Sequence, residues 1–230
     1  MSNAPQDPRW PRLLGLAVHE FRTPVTVVAG YLRMLLKDRA GPVTDQQRRL
    51  LEEAEKSCGR LSALLAEMSD LANLEAQTAT FNRSPVDLRA VIVESIRALP
   101  EMPDREIQVS LTTGNGPAVV QGDALRLKAA LTSLMAALRR ELVTSTELVV
   151  RERTGDWNGS RASWVTIGDP GQVADIETAD VSALTTFDEW RGGCGLSLAV
   201  ARRVIAQHSG QVWSPASQAK AAAVVVLPHA

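Results

Sequence analysis

Little in this chain announces a metal, a membrane or a nucleic acid. Cys58 and Cys194 are its only two cysteines in 230 residues. They lie far apart, with no CxxC pair or histidine-rich neighbourhood, which argues against a zinc site and predicts two free thiols in a reducing compartment. Neither sign of charge is in excess, with Lys+Arg 25 against Asp+Glu 26, so nothing draws the chain electrostatically to nucleic acid or to an anionic membrane. The longest apolar runs, such as "AAAVVVL" at 221–227, fall far short of the roughly 20 residues that span a bilayer. The opening "MSNAPQDPRWPR" has no apolar stretch of the kind a cleavable signal needs. A soluble cytoplasmic protein is expected. Aromatic residues make up only 4%; the tryptophans, Trp164, Trp190 and Trp213 among them, are expected to be packing residues.

What is present is enough apolar residue for a real core, 45% of the chain, arranged in two contrasting patterns. After a proline-rich lead, Leu14, Val18, Phe21, Val25, Val28, Leu32 and Leu35 alternate spacings of four and three, a heptad seam. "KDRAGPVTD" then breaks the pattern, with Gly41-Pro42 as punctuation and Thr44 or Asp45 as a helix cap. A second seam follows through Leu50, Ala54, Ser57, Leu61, Leu64, Met68 and Leu71. Two heptad helices joined by a short turn make an antiparallel hairpin, which cannot bury its seam alone; pairing two hairpins in a four-helix bundle solves this and predicts a homodimer.

From about Phe81 the periodicity changes. "SPVDLRAVIVESIRAL" reads as a helix, "REIQVSLTT" and "PAVVQGD" as short strands, and "ALRLKAALTSLMAALRREL" as a strong helix. "TELVVRER" and "SWVTIGD" are strands, "GLSLAVARRVIAQHSG" is a glycine-led helix with Ser209-Gly210 at its C-cap, and "GQVWS" and "AAAVVVLP" are again strands. The fold class is therefore a helical hairpin followed by an α/β unit. The expected domains are a lead at 1–12, the hairpin at 13–78 and the α/β domain at 79–230.

The chemistry concentrates in "AVHEFRTP" on the first helix. His19 lies at the flank of the seam and should be open to solvent. Glu20 beside it offers a carboxylate to an imidazole proton, and Thr23 stands one turn on, on the same face. Pro24 removes a helical donor and crowds the carbonyl of Glu20, a cost that needs an offsetting gain. A helical HExxH zinc site is excluded because Thr23 stands where its second histidine belongs.

"HEFRTPVTVVAGYLRML" resembles the phosphoacceptor box of bacterial two-component sensor histidine kinases. The resemblance continues through "SPVDLRAVI", like the family's linker, "VVQGDALRLKAAL", like the lead into its ATPase domain, and "FDEWRGGCGLSLAVARRVIAQHSGQVWS", like its phenylalanine and second glycine boxes. It implies a dimeric four-helix bundle followed by a two-layer α/β sandwich of the GHKL ATPase type. It also implies that His19 accepts a phosphoryl group, that Glu20 draws off a proton, that Pro24 bends the helix, and that Thr23 orients water when a response regulator is dephosphorylated. ATP, Mg²⁺ and a response-regulator receiver domain are the implied co-substrate, metal and partner.

In the ATPase half the sequence departs from the family pattern. Ala137 falls at the family's Mg²⁺-binding asparagine and Ser133 at its earlier companion. No metal ligand is therefore expected there. Arg140 matches a basic position of the same box. In "IGDPGQV", Asp169 matches the residue that reads the adenine amino group and Gly171 is kept, but Val173 replaces a second glycine. Gly193 and Gly195 precede a helix whose N-terminus faces phosphate in the family, and Ser197 replaces a further glycine. Cys194 within that loop would make nucleotide binding redox-sensitive if its thiol were activated. Three functions follow: an autophosphorylating histidine kinase with a degenerate ATP site, an ATP-independent phosphotransferase or phosphatase, or a pseudokinase scaffold that binds a response regulator. The lead before Leu13 is too short for a sensor, so input is expected from a separate sensor protein, from a ligand on these domains, or from neither.

Overall fold

The computed structural model describes residues 9–178, 184–190, 194–215 and 221–230. The chain divides into two compact units, one ending at Ala79 and one beginning at Thr80.

The first unit is the hairpin. Helix α1, Trp10–Leu36, runs through Pro24. Helix α2, Asp45–Glu75, begins at Thr44 in a capping box: its hydroxyl accepts the Gln47 N–H while the Gln47 side chain accepts the Thr44 N–H. Asp38 takes a left-handed φ of 54° in the turn, and Arg48 ties that turn down, donating to both Asp38 carboxylate oxygens at 3.0 and 2.9 Å and to the Leu36 carbonyl at 2.8 Å. The seam on α2 differs from the heptad expected for it. Cys58, Leu65 and Ala72 are buried, whereas Leu50 is 66% exposed and Leu61 and Leu64 also face out. The face of Cys58, Leu65 and Ala72 closes the hairpin, and of the expected heptad Ala54, Met68 and Leu71 are half-buried while the rest is exposed. On α1, Val18 is buried while Phe21 and Val28 of the expected seam join Trp10, Leu13, Tyr31 and other exposed apolar residues.

The second unit begins differently from the helix expected there. The segment read as one helix starts as strand β1, Ser84–Asp87, antiparallel to β3, Val119–Gly122. Only then does α3, Leu88–Arg97, begin, because Asp87 caps it by accepting the Arg89 N–H at 3.0 Å. A mixed six-stranded sheet follows, in the order β2-β4-β5-β8-β7-β6. Its strands are β2, Gln108–Thr113; β4, Glu147–Trp157; β5, Ser160–Gly168; β6, Leu184–Thr186; β7, Gln211–Pro215; and β8, Ala223–Pro228. The pair β2–β4 is parallel and the other pairs are antiparallel. Helices α4, Ala124–Glu141, and α6, Ser197–Gln207, pack side by side, with α3 against α4.

Alternation along the strands gives the sheet two buried faces. Ala162 and Trp164 of β5 join Trp213, Val224, Val226 and Ile176 in one cluster, in which Trp164 and Trp213 stack at 5.8 Å. These two tryptophans pack as expected. Trp190 does not: it is 83% exposed. At the end of α6 the left-handed residue is Ser209, φ 58°. Gly210 meets a different need, since a Cβ there would come within 2.4 Å of the Val226 carbonyl oxygen on β8.

Candidate functional site

The phosphoacceptor candidate stands on α1, exposed to solvent. The side chain of His19 is 77% exposed and that of Glu20 71%, and His19 Nδ1 lies 3.4 Å from Glu20 Oε1. With the Nδ1 proton turned to the carboxylate, the lone pair of Nε2 is left to act as nucleophile. Thr23 and Pro24 are exposed one turn further on. Pro24 supplies no N–H to the Glu20 carbonyl, and Thr26 Oγ1 donates to the Arg22 carbonyl at 2.8 Å just below.

The residues expected around a nucleotide are built into the second unit differently from what their types suggest. Ala137 is fully buried in α4, and a methyl group has no lone pair for Mg²⁺. Ser133 is half-buried. Arg140 is exposed and donates from Nε to the Ala136 carbonyl at 3.2 Å. Asp169 follows β5 and leads into a further helix, α5, Pro170–Thr178: its Oδ1 accepts the Gln172 N–H at 3.0 Å and its carbonyl the Val173 N–H at 3.0 Å. Asp-Pro is a helix start here, with proline at the first helical position where no donor is needed. Val173 is fully buried. Gly171 takes no left-handed conformation, and a Cβ on it would meet only Asp169 Oδ1, at 3.4 Å. Gly195 does use its freedom, φ 59°, as the chain turns into α6, where Ser197 Oγ donates to the Cys194 carbonyl at 2.7 Å. Gly193 lies outside the described residues. Cys58 and Cys194 are both free and buried. Among the described residues no cluster of histidine, cysteine, aspartate and glutamate is arranged for a metal, and no helix is long and apolar enough to cross a membrane.

Residues 12–77 match the family model for the His Kinase A (phospho-acceptor) domain. The hairpin is a HisKA domain. Its boundaries take in α1 and α2 almost whole, with His19, Glu20 and Thr23 on the first helix. Over both units the chain is a homologue of sensor histidine kinases. It is 27% identical over 199 residues to the circadian input-output histidine kinase CikA of Synechococcus elongatus, covering 84% of this chain and 26% of that protein. It is 29% identical over 205 residues to the phosphate regulon sensor protein PhoR of Pseudomonas aeruginosa, covering 84% and 44%. The chain thus spans less than half the length of these relatives. Its fold resembles that of full-length ShkA, solved in complex with AMPPNP, with a TM-score of 0.70 and 21% identity over 96% of this chain and 46% of that one. The α/β unit behind the HisKA hairpin thus has the histidine-kinase ATPase fold.

The sequence reading did not single out the residues that fasten the start of this unit. Asp123 caps α4 by accepting the Arg126 N–H at 3.1 Å and also accepts the Asn82 N–H at 2.9 Å. Burial pushes its carboxyl up, but these two N–H groups, the Arg126 charge and the Leu125 N–H together hold the group below the usual carboxylate range. The Asp123 N–H in turn donates to His208 Nε2 at 2.9 Å, and His208 Nδ1 bonds the Val204 carbonyl at 2.7 Å. These two bonds fix the neutral tautomer with its proton on Nδ1. Phe81 lies edge-on to His208 at 5.4 Å, with the Arg126 guanidinium 4.8 Å over its ring. The only advance signal was the Asp-x-x-Arg spacing before α4.

Burial, together with the charges of Arg83 and Arg126, lowers the His208 pKa, against the opposing pull of the Val204 carbonyl and of Asp123. A histidine lowered in the folded state binds its proton more readily when unfolded. Its contribution to stability is therefore complete above its ordinary value of 6.5 and is lost as pH falls through that value toward the folded one. The urea midpoint of the α/β unit is expected to fall between pH 7.5 and 5.5, and His208→Gln to flatten that slope. An unchanged slope in the variant would place the titration elsewhere.

Proposed function

We propose that this chain is a two-component phosphotransfer protein. His19 takes a phosphoryl group on Nε2 and exchanges it with a response-regulator aspartate, while autophosphorylation from ATP is weakened at positions 137 and 173. The observation that carries this reading is the contrast between the two units. The HisKA hairpin keeps an exposed histidine with a carboxylate on its Nδ1. In the ATPase-like unit a buried methyl stands at the position that the resemblance assigns to the metal ligand, and Asp169, its counterpart for adenine, caps its own helix through Oδ1. These residues do not fit Mg²⁺. In the transfer step the Nε2 lone pair forms a bond to phosphorus, the donor's leaving group departs with its electron pair, and Glu20 offsets the imidazolium through Nδ1–H. Thr23, one turn away, is the candidate for orienting water in the reverse, hydrolytic direction.

The deciding experiment compares two donors on the same preparation. Phosphoramidate is expected to phosphorylate the wild-type chain at an acid-labile site that is absent in His19→Ala, whereas Mg·ATP is expected to do so about a hundredfold more slowly or not at all. Label from neither donor would sink the reading.

The apolar face left open on the hairpin supports a homodimer. Trp10, Leu13, Phe21, Val28, Tyr31, Leu50, Leu61 and Leu64 are each 40–66% exposed, and exposed apolar surface of this extent marks an association face. Light scattering is expected to give twice the chain mass, and Leu61→Glu/Leu64→Glu to halve it; a monomeric wild type would refute the pairing.

A further inference from the structure

Arg139 has the wrong neighbours for a buried cation. It sits on α4 with only 8% of its surface exposed, and no carboxylate pairs with it among the described residues. One of its nitrogens donates to the Pro100 carbonyl, and its buried Nε has no partner at all. Removing a charge from water without a counter-charge is strongly unfavourable, and an apolar side chain of similar size would be cheaper here. Burial and the charge of Arg140 both depress its pKa, in keeping with a guanidinium that lacks an anion.

The same side chain lines a cavity of about 310 Å³ between α4 and the loop that leads from α3 to β2. Its walls include Pro100, Met102, Pro103 and Ala136, with Arg140 beside Arg139 and the exposed Glu101 and Asp104 also lining it. The loop is fastened on both sides of this space. Pro100 is tied to Arg139, and Arg105 donates to the carbonyls of Leu142, Val143 and Ser145 beyond the end of α4. Of the nucleotide-type positions only Arg140 reaches this lining; Ala137, Asp169 and Gly195 are not among the lining residues.

We propose that the cavity is a binding site for a small molecule with a single carboxylate or phosphoryl group, whose anionic end pairs with Arg139 while its body rests on Met102 and the prolines. Glu101 and Asp104 select against polyanions such as nucleotides and favour a monoanion or a zwitterion. The site is independent of the phosphoryl chemistry at His19.

Thermal unfolding of the full chain tests this, with inorganic phosphate and acetate each titrated against chloride at constant ionic strength. At about ten times its Kd, at least one probe is expected to raise the wild-type Tm by roughly 3–6 °C. Arg139→Met is expected to unfold about 2–4 °C higher than wild type in chloride and to lose the response to the probe. Equilibrium dialysis of labelled phosphate and labelled acetate against the wild type gives a readout that does not depend on the variant folding, with one saturable site per chain expected for at least one of them. No saturable binding of either, or an equal Tm shift in Arg139→Met, would overturn the proposal and leave Arg139 as a loop anchor.

Discussion

Given γ-labelled ATP and Mg²⁺, the chain is expected to place little or no label on His19 over a period in which phosphoramidate labels it fully. The reason is electrostatic. Phosphoryl transfer from ATP depends on a cation bridging the phosphates, held by an oxygen of fixed geometry, and such preorganised charge accounts for much of the rate. The position that the resemblance assigns to that oxygen is a fully buried alanine, Ala137. Losing one such contact costs on the order of a hundredfold in rate. Restoring the amide is not expected to suffice. Asparagine at position 137 would enter a site with no exposed surface, at a cost of about 1–3 kcal/mol if its amide is left unpaired. Asp169 would still be engaged as the cap of α5 and Val173 would still be packed. Ala137→Asn is therefore expected to lower stability without producing His19-dependent label. Strong ATP labelling of the wild type would show that another oxygen holds the metal.

The largest effect on stability is expected from Glu152→Ala. Glu152 lies in β4 with its side chain fully buried. It accepts from Arg89 Nε at 2.7 Å, from the Gly114 N–H at 3.3 Å and from Ser163 Oγ at 3.4 Å. Ser163 continues the chain of contacts to His229 Nε2 at 2.9 Å, so α3, β4, β5 and the C-terminus meet at one carboxylate. Removing it strands a guanidinium that already has one buried nitrogen without a partner, a loss of about 3–5 kcal/mol and a fall in Tm of roughly 10 °C. Because the cost lies in the uncompensated charge, the pair replacement Arg89→Met/Glu152→Leu is expected to regain most of the stability. Urea denaturation of the two variants decides it: a loss below about 1 kcal/mol for Glu152→Ala would show that water reaches the pair.

The sequence by itself determined the local matters. A hairpin of two helices followed from heptad spacing, the Thr44 cap from side-chain chemistry, and a mixed sheet from alternating strands after Phe81, because each depends on neighbours within a few turns or a few residues. The exposure of His19 beside Glu20 was legible for the same reason: it needs only the phase of one helix. Only the tertiary structure decided which apolar face of α2 closes the hairpin, since Leu50 and Leu51 fit helical periodicity equally well and packing chooses between them. It also decided that "SPVD" pairs with a strand 35 residues on, that the Asp-Pro-Gly after β5 begins a helix, and that Trp190 faces solvent. The unpartnered Arg139 and the Glu152 network belong to the same class. A charged letter reads as a solvated face until distant segments close over it, and burial is a property of the whole fold that no local window contains.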